Sequence, residues 1–134
     1  QSDKTTSVSA EAGSHSYRGI ALLVDDDALV RTSTADMLED AGFEVVEAES
    51  AEEALLLLDE LEGVVVLVTD HLMPGMSGSQ LVRKVHNLRP GLPCLIVSGY
   101  AEAEGIAPDL PRLPKPFKAA DLDRAIAALG LRRR

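Results

Sequence analysis

Apolar residues along the chain fall into short unbroken runs, separated by stretches with helical spacing. Ile20-Ala21-Leu22-Leu23-Val24 is one such run, and it stops at Asp25-Asp26-Asp27. Val30, Thr34, Met37 or Leu38, and Ala41 then recur at helical intervals, which predicts a helix that Gly42 ends. Phe43 to Ala48 alternates as a strand does, with Phe43, Val45 and Ala48 set against Glu44 and Glu47. Ser50-Ala51-Glu52-Glu53 reads as a capping box ahead of a helix over Ala54 to Leu61. Val64-Val65-Val66-Leu67-Val68 is a second unbroken run, and Asp70 lies just beyond it. A Pro/Gly/Ser segment, His71 to Gly78, leads into a predicted helix from Ser79 to Leu88. Cys94-Leu95-Ile96-Val97 is a third run, ending at Ser98-Gly99. Leu113-Pro114-Lys115-Pro116-Phe117 carries a last short strand toward a helix over Ala120 to Leu129.

Runs without alternation are what strands covered on both faces look like, and such strands belong to a parallel sheet flanked by helices. Repeated strand-helix units therefore predict a doubly wound α/β domain with a five-stranded parallel sheet. In that architecture the ligand sits beyond the carboxyl ends of the strands. Here those ends carry Asp25 and Asp26, Asp70, Ser98 and Lys115, on the first, third, fourth and fifth strands. Residues 1–18 are rich in Ser, Thr, Ala and Gly without an apolar period, and are expected to form a flexible tail. The folded domain is expected over 19–131.

Composition narrows the function classes. The chain has 134 residues, 46% of them hydrophobic, enough to bury one core. Its net charge of −9 argues against direct nucleic-acid binding, which needs a basic field to displace counterions. With aromatics at 3%, a base-stacking surface is also disfavoured. The single cysteine, Cys94, excludes an internal disulfide and a multi-cysteine zinc site, and its place in an apolar run marks it as a small hydrophobe. The sequence contains neither a membrane span nor a signal peptide, so a cytoplasmic location is expected.

Three carboxylates at one sheet edge repel one another. At about 5 Å and an effective dielectric near 20, each pair costs roughly 3 kcal/mol. Such a cluster persists if a carboxyl keeps its proton or if a cation neutralises it. With only oxygen donors on offer that cation is Mg²⁺, which keeps waters and phosphate oxygens in its shell. Lys115 adds a positive point charge and Ser98 a hydroxyl, both suited to an anionic group at Asp70. The residues thus point to a Mg²⁺-dependent phosphoryl site in which a carboxylate can be the nucleophile.

Val24-Asp25-Asp26, Asp70-His71-Leu72-Met73-Pro74-Gly75-Met76-Ser77-Gly78, Ile96-Val97-Ser98-Gly99-Tyr100 and Leu113-Pro114-Lys115-Pro116-Phe117 together resemble the receiver domain of two-component response regulators. Each motif alone is weak, whereas the ordered set, spanning about Gly19 to Leu129, is specific. The resemblance implies a flavodoxin-like strand order 2-1-3-4-5. It also implies that Asp70 is the phosphoacceptor, charged by a phosphohistidine on a histidine kinase or a histidine phosphotransfer protein, with slow autodephosphorylation. By the same resemblance Asp26 binds Mg²⁺ directly and Asp25 through water. Asp70 and the backbone carbonyl of Leu72 complete the protein ligands, and Ser98 and Lys115 contact the phosphoryl group. Pro116 stands where the family has a cis peptide after the lysine.

Two departures from the family pattern stand out. Where many receivers carry a Tyr or Phe three residues before the lysine, this chain has Arg112, so the usual inward-turning ring is missing. The interval from Ser98 to Lys115 is short and holds Pro108, Pro111, Pro114 and Gly105, which predicts a short, irregular or mobile fourth helix. Receivers fused to hybrid histidine kinases look similar in this region, and that is the favoured context.

Other readings of the same residues compete with these. Asp27 reads as a helix cap, and His71, a lone histidine in a loop, as structural or solvated rather than a ligand. A Mg²⁺-dependent aspartyl-phosphate phosphatase usually carries a second acid two residues past its nucleophile, and here that residue is Leu72. A receiver-like module that binds partners without being phosphorylated is kept open by Arg112 and the short segment.

Overall fold

The computed structural model describes residues 17–99 and 110–131 of the 134. Among these the chain runs β1 (Ile20–Val24), α1 (Ala28–Asp40), β2 (Glu44–Ala48), α2 (Ala51–Glu60), β3 (Val64–Asp70), α3 (Gly78–Leu88), β4 (Cys94–Ser98), β5 (Arg112–Pro114) and α4 (Ala119–Ala128). All strand pairs are parallel, in the order β2-β1-β3-β4-β5. This is the flavodoxin-like order expected. Residues 1–16 of the tail expected over 1–18, and the segment 100–109, on which the irregular fourth helix was expected, lie outside the described residues. Arg18, the last of that tail, is fastened to the fold, its N–H donating to Gly42 O at 2.8 Å and its guanidinium lying 4.5 Å over the Phe43 ring.

The unbroken apolar runs divide between two cores, as strands buried on both faces require. Leu22, Val24, Leu67 and Ile96 pack with Ala54, Leu58, Leu81 and Val85 of α2 and α3. Ala21, Leu23, Val66, Val68, Leu95 and Val97 pack on the other face with Ala35, Leu38, Leu122 and Ile126 of α1 and α4. β1 and β4 alternate between the two cores, and the buried polar residues of the sheet, Thr69, Asp70 and Ser98, fall at the carboxyl ends of β3 and β4.

Element ends differ from expectation where backbone bonding overrides the apolar pattern. β3 runs to Asp70 because Thr69 and Asp70 still pair with Ile96 and Val97. α2 begins at Ala51 rather than Ala54, since Ser50 Oγ accepts from Glu53 N at 3.0 Å and Ala51, Ala54 and Leu58 share the buried face. The expected capping box is only half formed there: Glu53 Oε1 takes the N–H of Glu49, one residue upstream of the cap. β5 stops at Pro114, short of Phe117, because Pro114 and Pro116 lack the N–H that a longer ladder needs. Phe43, fully buried, precedes β2 instead of opening it, and Gly42 ends α1 at φ 103°.

Candidate functional site

The carboxyl ends of β1, β3, β4 and β5 bring the singled-out residues to one edge. Asp25 continues the β1–β2 ladder, donating its N–H to Ala48 O at 3.1 Å, and then turns into the loop. Its Oδ1 accepts the Asp27 N–H at 2.9 Å. Asp27 is the N-cap of α1, accepting from Leu29 N and Val30 N, as the plain cap reading expects. Asp25 and Asp70 are buried and Asp26 is exposed, and carboxylate oxygens of the three all lie within 4.8 Å of one another. The Asp25 carboxyl is held above its ordinary pKa chiefly by burial. The Asp27 N–H and Lys115 pull against that rise, while Asp70 and Asp26 add to it.

Lys115 follows β5, and its N–H donates to Ser98 O at 2.7 Å. Its Nζ lies 2.9 Å from Asp70 Oδ1, and the Lys115–Pro116 peptide is cis. Ser98 is the last residue of β4, buried, and in register with Pro114. Leu72 lies two residues past Asp70 with its side chain exposed. Arg112 is exposed at the start of β5, so no ring fills that position. Tyr100 falls outside the described residues.

This donor set fits a small hard cation. The clustered atoms are all carboxylate oxygens, and the softer groups are elsewhere. Cys94 sits at the opposite end of β4, with burial pushing its thiol up to about 12, and His71 Nδ1 faces Ser79 Oγ at 3.3 Å. One lysine beside three carboxylates leaves the cluster with excess negative charge, which Mg²⁺ would offset while retaining sites for phosphoryl oxygens.

Two neighbours add to the set: Arg31, which the sequence did not mark, and His71, which it marked as structural or solvated. Arg31 of α1 donates from Nη1 to Asp25 O at 2.7 Å and pairs through Nε with Glu47 of β2 at 2.9 Å, so it fastens the β1–α1 loop to the sheet. Its position four residues after the Asp27 cap was a weak hint. His71 is buried at the end of β3, and only its place directly after a strand-terminal acid hinted at that.

A family model described as the response regulator receiver domain matches residues 21–127. The chain belongs to the receiver family. Among curated relatives, the sensor kinase CckA of Brucella abortus is 40% identical over 75% of this chain and 11% of its own length. The transcriptional regulatory protein FixJ of Rhizobium meliloti is 36% identical over 75% of this chain and 46% of its own. This receiver thus spans between about a tenth and under half of those relatives. Among solved structures, the receiver domain of the hybrid histidine kinase CckA superposes with a TM-score of 0.70 at 30% identity, covering 83% of this chain and 98% of that one. A response regulator receiver protein from Sinorhizobium medicae gives 0.74 at 31% identity, covering 83% and 93%. Receiver domains take phosphoryl groups from histidine kinases or phosphotransfer proteins and generally bind Mg²⁺ at an aspartate cluster, and this chain has such a cluster in Asp25, Asp26 and Asp70.

Proposed function

We propose that Asp70 is the phosphoacceptor of this receiver, charged by a phosphohistidine on a histidine kinase or phosphotransfer protein. One observation carries the reading: Asp70 ends the central strand with its carboxylate 2.9 Å from Lys115 Nζ and beside the carboxylates of Asp25 and Asp26. In the transfer, an Asp70 carboxylate oxygen bonds to phosphorus as the phosphorus–nitrogen bond of the donor imidazole breaks. The electron pair leaves with that imidazole. Lys115 neutralises charge on the moving group, and the Ser98 hydroxyl, at the adjacent strand end, donates to a phosphoryl oxygen. Asp26 would hold Mg²⁺ directly and Asp25 through water, with Asp70 and the Leu72 carbonyl as further ligands. When bound, the ion supplies charge neutralisation and orientation of the phosphoryl oxygens. In hydrolysis water attacks phosphorus, the phosphorus–oxygen bond to Asp70 breaks with its electron pair returning to the carboxylate, and inorganic phosphate leaves; slow autodephosphorylation is part of the same reading.

A cytoplasmic location is proposed with this role, supported by the absence among the described residues of a helix long and apolar enough to cross a membrane. The net charge of −9 supports a protein partner rather than direct nucleic-acid binding by this domain. Similarity to CckA supports fusion to, or partnership with, a hybrid histidine kinase. The test is transfer from a histidine-phosphorylated kinase core carrying labelled phosphate. Label should move to the wild-type chain and stay on the kinase with Asp70→Asn; label moving equally to both would refute Asp70.

A further inference from the structure

His71 is a buried titratable residue that none of the steps above uses. Its backbone N–H donates to Val97 O on β4 at 3.0 Å, and its carbonyl accepts from Gly78 N at 2.7 Å. Its Nδ1 lies 3.3 Å from the hydroxyl of Ser79, itself buried in the first turn of α3. Successive side chains alternate along a strand, so Asp70 faces the acidic cluster while His71 faces α3. Whichever tautomer the ring adopts, Nδ1 and Oγ can form one hydrogen bond.

These bonds close a ring. The loop 72–77 leaves at His71 and returns at Gly78, with both ends held together by the Gly78 N–H on one side and the His71–Ser79 pair on the other. The helix end of the ring is stiff, because Ser77 and Gln80 form a complete capping box. Leu72 is the first residue out of the ring, so its carbonyl is only as well placed as His71.

We propose that the His71–Ser79 hydrogen bond is a positioning latch for the cation site, pinning the start of α3 to the residue after Asp70 and so holding the Leu72 carbonyl toward the aspartates. The latch rests on the reading of Leu72 and the aspartates as cation ligands. Removing the Ser79 hydroxyl strands a buried ring nitrogen, and the loop relieves that by shifting.

The test titrates Mg²⁺ into the full chain, without a phosphoryl donor, and follows backbone amide NMR shifts. Ser79→Ala and His71→Leu should each weaken Mg²⁺ binding about fivefold, as loss of one buried hydrogen bond implies. Ser79→Thr, which keeps the hydroxyl, should bind as wild type, and the double variant should be no weaker than His71→Leu alone, because both remove the same bond. Unchanged affinity in Ser79→Ala, a loss that Thr does not restore, or additive losses would overturn the latch. So would loss of the folded spectrum in both single variants, which would make the bond purely structural. Absence of any wild-type Mg²⁺ response that Asp26→Asn abolishes would instead overturn the cation site itself.

Discussion

Gly78 shows how tightly the site is built at the level of single residues. A Cβ at this position would stand 2.1 Å from Asp70 O and 3.0 Å from His71 Cα. Backbone cannot retreat as a side-chain tip can, so Gly78→Ala should lower unfolding stability by about 3 kcal/mol in denaturant titration. It should also slow phosphoryl uptake, because the displaced peptide is that of Asp70. Cys94 is the opposite case, a group made inert by its surroundings. Burial raises its thiol from an ordinary 9.0 to about 12. Between those values an unfolded chain gives up the proton and the folded one keeps it. The stability from this group is therefore complete below about pH 9 and lost as pH rises toward 12. At pH 8 a thiol reagent should leave native Cys94 unmodified and label one thiol per chain only after denaturation; ready labelling of the native protein would contradict its burial. Most residues of the candidate site were legible by position, since Asp25, Asp26, Asp70, Ser98 and Lys115 stand at strand ends marked by abrupt stops in apolar runs. Arg31 and Ser79 were not, because both act through bonds to partners distant in sequence that leave no periodic trace.

The elements were legible to the extent that burial decides them. All five strands follow apolar runs or alternation, and each helix follows an apolar stripe. Their ends were less so, because ends depend on hydrogen bonds: Thr69 and Asp70 extend β3 by pairing with β4, and the two prolines cut β5 short. The cap of α1 separates structure from chemistry within the acidic loop. Asp27 Oδ1 accepts two N–H groups of the first turn, while the contact to Asp25 is made by the Asp27 backbone. Asp27→Ala should therefore cost about 1 kcal/mol of stability. Phosphoryl uptake should persist at close to the wild-type rate, since the Asp25 contact survives. Uptake abolished in a folded Asp27→Ala protein would mean that Asp27 belongs to the acidic site.

At the scale of the whole molecule, the sheet order gathers charge that no single element would hold. Asp25 and Asp26 come from the β1 end and Asp70 from the neighbouring β3 end, and Lys115 crosses from the far edge. Doubly wound topology was legible because it follows from apolar runs alternating with helices; the interval 100–109 lies outside the described residues. A ligand that binds only the folded state raises stability by mass action, about 1.4 kcal/mol at ten times its dissociation constant. Mg²⁺ should accordingly raise the thermal midpoint, EDTA should reverse the rise, and Asp26→Asn should abolish it while Asp27→Ala retains it. An equal rise in Asp26→Asn would place the ion elsewhere.

The most direct measurement is intact mass after incubation with acetyl phosphate, with and without Mg²⁺, for wild type and Asp70→Asn. One phosphoryl group should add to the wild type only when Mg²⁺ is present, and none to Asp70→Asn. Addition that persists in Asp70→Asn would contradict the assignment of the acceptor. No addition to the wild type, from acetyl phosphate or from a histidine-phosphorylated donor, would contradict phosphorylation altogether and leave a receiver that works by binding alone.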